Sequence, residues 1–187
     1  DINDAGTMVY ITNSGYNSVS IHEINTTQPD TVVPVGYFPV AVKLNDAETK
    51  AYVVNYGEMN VAIIDLTKNS VQTTIKVGTN PADIVVNPSD TRAYVSNTAD
   101  NTISVIDTTI NSVTTTIPTG SFPISLAMDS TGKYVYVTNR DDDTVSVINT
   151  ENNMVEDTIS VGDTPIGIVL NPDSTKLYVG NEGSNTI

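Results

Sequence analysis

The chain repeats itself every 42 residues, and this period limits its fold more than any other feature. Tyr10, Tyr52, Tyr94, Tyr136 and Tyr178 are each 42 positions apart, and Asn13, Asn55, Asn97, Asn139 and Asn181 keep the same step. Gly36, Gly78, Gly120 and Gly162 follow it, as do Pro39, Pro81, Pro123 and Pro165. A period of this length, held without one insertion, marks a stacked architecture in which each copy buries its apolar faces against its neighbours.

Inside one unit the pattern predicts four short strands. The first, Ile124 to Met128 in one copy, follows the proline and alternates large apolar residues with small ones. The second is the tyrosine segment, Lys133 to Asn139, and the third runs from Thr144 to Ile148. The fourth, Val113 to Ile117 with its equivalents Val71 to Ile75 and Val155 to Ile159, alternates apolar residues with Thr, Gln, Glu or Asp. That alternation suits a strand with one wet face. Pro34 and Pro118 belong to the fourth strand; with no N–H to donate, they place it at a sheet edge. The first strand, with Ala41, Ser125 and Gly167 on one side, suits a crowded centre.

A four-stranded antiparallel sheet ordered from centre to rim and repeated through short links is a β-propeller blade. The expected fold is therefore all-β, with about 4.5 blades. They are a partial blade over 1–35, blades over 36–77, 78–119 and 120–161, and a partial blade over 162–187. In the Gly-x-x-Pro link the glycine is expected to supply a positive φ, and the asparagine closing the second strand an Asx turn. Asp65, Asp107 and Asn149 close the third strand with the same turn chemistry, with Glu23 in the first copy.

The segment Tyr136-Val137-Thr138-Asn139 resembles the YVTN-type β-propeller repeat, and Tyr10-Ile11-Thr12-Asn13, Tyr52-Val53-Val54-Asn55, Tyr94-Val95-Ser96-Asn97 and Tyr178-Val179-Gly180-Asn181 are similar to it. The resemblance covers the whole chain. It implies a seven-bladed ring of the kind found in archaeal or bacterial surface-layer and secreted proteins. The chain starts at Asp1 without a methionine, and its two ends do not supply complementary strands of one shared blade. An incomplete stretch of a longer propeller is the expectation.

Asp and Glu number 22 against 8 Lys and Arg, a formal charge of −14, which disfavours nucleic acid and anionic lipid surfaces. No apolar stretch is long enough to span a membrane, so direct membrane insertion is not expected. The absence of cysteine removes disulfides, thiolate metal sites and cysteine nucleophiles.

Candidate site residues are few. His22 is the only histidine and stands where the other copies have Ile64, Ile106 and Ile148. It reads as a half-buried or rim side chain, because one His without Cys makes no zinc, copper or haem site. Asp141, Asp142 and Asp143 cluster in one loop, with Asp100 and Glu58 in the equivalent loops. Asp141 and Asp143 form a weak candidate calcium pair without the glycine and closing glutamate of an EF-hand; solvated turn charge is the main reading. No other cofactor is expected. Lys43 and Asp83 are the charged residues on the small-residue side of the first strand, the side assigned to the central channel. Asn25-Thr26-Thr27 is the single glycosylation sequon. The repeated tyrosines read as blade packing and not as a sugar-stacking platform.

These features favour a non-enzymatic display or adhesion module of a cell envelope, extracellular and prokaryotic. Its expected partners are other protein domains, copies of itself, or glycans. The alternative is the propeller of a lactonase-like protein, or of a nitrite, amine or nitrous-oxide oxidoreductase, with its active residues in other blades. Arg92 and Arg140, the two arginines, both lie outside the first strand. An intracellular interaction scaffold is a third class, and a gene without an export signal would favour it.

Overall fold

The computed structural model describes all 187 residues, Asp1–Ile187, as strands joined by tight turns and two single 3₁₀ turns. Blade 1 holds β1 (Met8–Asn13), β2 (Ser18–Glu23) and β3 (Thr31–Pro34). Blade 2 holds β4 (Pro39–Leu44), β5 (Lys50–Asn55), β6 (Asn60–Asp65) and β7 (Ser70–Lys76). Blade 3 holds β8 (Pro81–Val86), β9 (Arg92–Asn97), β10 (Thr102–Asp107) and β11 (Ser112–Pro118). Blade 4 holds β12 (Pro123–Met128), β13 (Tyr134–Asn139), β14 (Thr144–Asn149) and β15 (Met154–Ser160); blade 5 holds β16 (Pro165–Leu170) and β17 (Leu177–Asn181). Every blade is an antiparallel meander in sequence order. The inner strands β4, β8, β12 and β16 stand side by side, and the polar strands β3, β7, β11 and β15 end each sheet, as the proline and threonine pattern predicts.

The core lies between blades. Tyr52, Val54, Val61 and Ile63 of blade 2 pack on Ile84, Ala93, Val95 and Ile106 of blade 3, and the seams between blades 1 and 2 and between blades 3 and 4 repeat the arrangement. Fully burying one such Val or Ile is worth about 1.5–3 kcal/mol, so the seam outweighs any single turn. Tyr52 and Tyr94 are fully buried between blades, whereas Tyr178, on the last blade described, is 45% exposed. The repeated tyrosine is thus seam packing. Its hydroxyl also crosses the seam in one copy, with Tyr94 Oη 3.4 Å from Asn153 Oδ1.

Three local readings need correction. The repeated asparagine makes no Asx turn: it is a buried bridge to the third strand, with Asn97 Nδ2 donating to Thr102 Oγ1 at 3.1 Å and Ser104 Oγ at 2.9 Å. In this copy Oδ1 also accepts the Gly78 amide at 3.0 Å, a bond that Asn55, Asn139 and Asn181 do not make. The repeated glycine is not the residue with positive φ. In the Gly-x-x-Pro link that conformation belongs to the third residue: Phe38, Asn80, Phe122 and Thr164, at φ 54 to 56°. The glycine is required for space, since a Cβ on Gly120 would lie 2.7 Å from the Asn139 side chain and from Asp142 Oδ2. The third correction concerns Asp142, which is no merely solvated charge: its Oδ2 accepts the Ser121 amide at 2.7 Å and fixes the link. The Asx turns after the third strand form as expected, Asp65 Oδ1, Asp107 Oδ1 and Asn149 Oδ1 each accepting the amide two residues on.

Candidate functional site

The inner strands wall a cleft of about 450 Å³, lined by Val42, Lys43, Asp83, Leu126, Met128 and Ile168 among others, near the ends of those strands. It is mostly apolar. Its shape follows from the proline that opens each inner strand: the ladder with the second strand is irregular just after it, between Pro81 and Ile84 and between Pro123 and Leu126. The amides freed there turn to hydroxyls of the second strand, Asp83 N to Ser96 Oγ and Ser125 N to Thr138 Oγ1, both at 3.0 Å. Hydroxyls also tie neighbouring blades: Ser96 Oγ of the second strand donates to Ile124 O, and Ser125 Oγ of the inner strand β12 to Ile166 O, both at 2.6 Å. A small polar residue in the second strand, fully buried as Ser96 and Thr138 are, therefore braces the inner strand from behind the cleft.

This irregular backbone also redirects Asp83. Asp83 stands on the channel side as expected, but its carboxylate is engaged: Oδ1 accepts the Ile84 amide and Oδ2 the Leu126 amide of the next blade, both at 2.8 Å. Burial pushes the carboxyl up to about 6, against the pull of the two amides and of Lys43. Lys43 remains on the channel side, half-exposed, with Nζ 3.1 Å from Asp1 Oδ2. The pair is thus not an acid and base sharing one proton. Asp83 is a staple between blades 3 and 4, and Lys43 is the cation of the wall.

The other candidates separate. His22 Nδ1 lies 2.7 Å from Asp30 Oδ1 on the outer part of blade 1, at the position that Ile64, Ile106 and Ile148 fill as fully buried core. The three loop aspartates diverge: Asp141 meets Arg140 Nε at 2.8 Å, Asp142 takes Ser121 N, and Asp143 Oδ1 takes Thr164 N at 2.8 Å. No three His, Cys, Asp or Glu side chains gather so as to hold a metal ion, and Asp141 and Asp143 are each engaged by a different partner. Asn25 is exposed in a turn at φ 65°, accessible to modification. Sequence reasoning missed a second periodic set, Asn3, Asn45, Asn87, Asp129 and Asn171, at the turn after each inner strand. Asn87 Oδ1 accepts Thr91 N at 2.9 Å and Arg92 N at 2.8 Å, and Asn45 and Asn3 do the same. The 42-residue step would have revealed them.

The repeated blades, the radial seams and the channel wall define a β-propeller. Residues 45–158 match the family described as "Lactonase, 7-bladed beta-propeller", and the chain belongs to this family. Its name points to lactonases, whereas the Tyr-Val-Thr-Asn segments pointed to surface layers; both agree on the blade. Among solved structures, the chain is similar to Kuenenia stuttgartiensis hydrazine synthase, with a TM-score of 0.89, 24% identity, and coverage of 95% of this chain and 53% of that one. It is also similar to a functionally unknown protein from Desulfotomaculum acetoxidans DSM 771, with a TM-score of 0.87, 17% identity, and coverage of 97% and 62%. The chain thus spans 53% and 62% of the lengths of these structures, and the likeness is one of fold. A comparison with curated proteins gives no match.

Proposed function

We propose that this chain is an arc of a lactonase-type propeller whose axial cleft receives a small cyclic ester. The observation that carries the reading is the family match over residues 45–158, combined with a mostly apolar channel wall whose cation is Lys43, half-exposed and paired with Asp1. Opening a lactone needs a water activated by a base, and a positive or N–H group facing the oxyanion that forms on the ring carbonyl. Lys43 fits the second role. Asp83 does not fit the first, because both of its oxygens hold backbone amides; it fixes the wall between blades 3 and 4. The base then comes from blades outside this arc. The test is acid release from five- and six-membered lactones by the full gene product, followed by pH-stat titration. Hydrolysis above the buffer rate that falls about tenfold or more in Lys43→Ala supports the reading. No acceleration by the full gene product for any lactone overturns it.

A second reading, a display module at the cell surface that meets other protein domains or copies of itself, is supported by the charge of −14 and by the rigid loop acids that cap turns. Protease shaving of intact native cells tests it: peptides of this chain in the released fraction support it, and their retention inside the cells excludes it.

A further inference from the structure

Exposed positions that break an otherwise strict repeat are not needed by the scaffold. The links entering blades 2 to 5 carry Tyr37, Thr79, Ser121 and Asp163 at their second position, and the loops after the second strands begin with Ser14, Tyr56, Thr98, Arg140 and Glu182. Only at the entry to blade 2 do aromatic residues fill both positions. There Tyr37 is 59%, Phe38 43% and Tyr56 36% exposed. The ring centroids of Tyr37 and Phe38 are 6.3 Å apart, and those of Phe38 and Tyr56 6.0 Å in an edge arrangement. The cluster lies at the loop end opposite the lining of the cleft, so it is separate from the lactone reading.

The rings are held in place before any ligand arrives. Phe38 sits at φ 55°, with its amide on Asn17 Oδ1 at 3.1 Å. Gly57 N donates to Tyr37 O at 3.1 Å and Tyr56 N to Phe38 O at 3.0 Å. Tyr37 lies so close over Gly57 that a Cβ there would collide with its ring. Pre-set rings lose little freedom on binding.

We propose that this aromatic platform binds a neutral glycan, stacking pyranose C–H faces on Tyr37 and Tyr56. Three features select that class. The protein's charge of −14, with Glu58 beside the rings, repels anionic ligands. The amides of Tyr56 and Gly57 are already paired, so an extended peptide finds no strand edge to join. Glu58, whose Oε2 accepts Asn60 Nδ2 at 3.0 Å and which is exposed, offers its other carboxylate oxygen at the rim for sugar hydroxyls.

The experiment is titration calorimetry of the protein with cellohexaose, xylohexaose and mannohexaose, and with a proline-rich decapeptide. Saturable binding of at least one hexasaccharide is expected, weakened about tenfold by Tyr37→Ala and by Tyr56→Ala. Tyr37→Phe and the distant exposed-residue variant Ile110→Ala should bind as the parent does. Gly57→Ala, which keeps all three rings but displaces Tyr37, should weaken binding like Tyr37→Ala. Melting curves matching the parent show that the Tyr37 and Tyr56 variants fold. Binding of none of the hexasaccharides, binding of the peptide alone, or unchanged affinity in both tyrosine variants overturns the proposal.

Discussion

The carboxyl group of Asp83 holds amides from two blades while burial favours its neutral form, so its protonation is linked to folding. The ordinary value of 3.8 rises to about 6 in the folded chain. A raised acid favours folding fully below the unfolded value, and that contribution is lost as pH rises through the folded one. Between pH 4 and pH 7 the parent should therefore lose stability on the order of 3 kcal/mol through this group, while Asp83→Asn should not. Urea unfolding of both proteins at several pH values checks this: the variant should gain on the parent as pH rises, and a pH-independent difference would refute the raised value. The sequence marked Asp83 as unusual, because Ala41, Ser125 and Gly167 hold its place elsewhere. It did not show where the carboxylate goes, since that depends on the irregular ladder after Pro81.

At the scale of one element, the link into each inner strand shows how far periodicity reads and where it stops. The step of 42 locates the glycine and the proline, and the strand pattern around them matches β4, β8, β12 and β16. It does not say which residue turns left-handed, because Phe38, Asn80, Phe122 and Thr164 share no chemistry; the turn geometry imposes φ > 0 on whatever stands third. Two substitutions separate the assignments. Gly78→Ala would bring a Cβ within 2.6 Å of Asn97 Cγ and Asp100 Oδ2, and should cost about 2 kcal/mol or more. Asn80→Gly places glycine at φ 54° and should change stability by less than about 0.5 kcal/mol. Denaturant midpoints decide: the opposite order would restore the glycine to the left-handed position.

Across the whole molecule the seams repeat between neighbours, and no core is shared by all blades. Stability in such an array is close to a sum of blade terms and nearest-neighbour terms. Blade 5 packs through β16 on β12 and β13, and Val145 of β14, fully buried, stands where Val61 and Ile103 face the next blade. Removing residues 162–187 should cost on the order of 3–5 kcal/mol, the burial of a few apolar side chains, yet leave the seam between blades 2 and 3 untouched. Hydrogen exchange on the chain 1–161 should then show β13 and β14 losing protection while β9 and β10 keep theirs. An equal loss in all blades would mean that the arc unfolds as one unit, with coupling that reaches beyond the neighbouring seam.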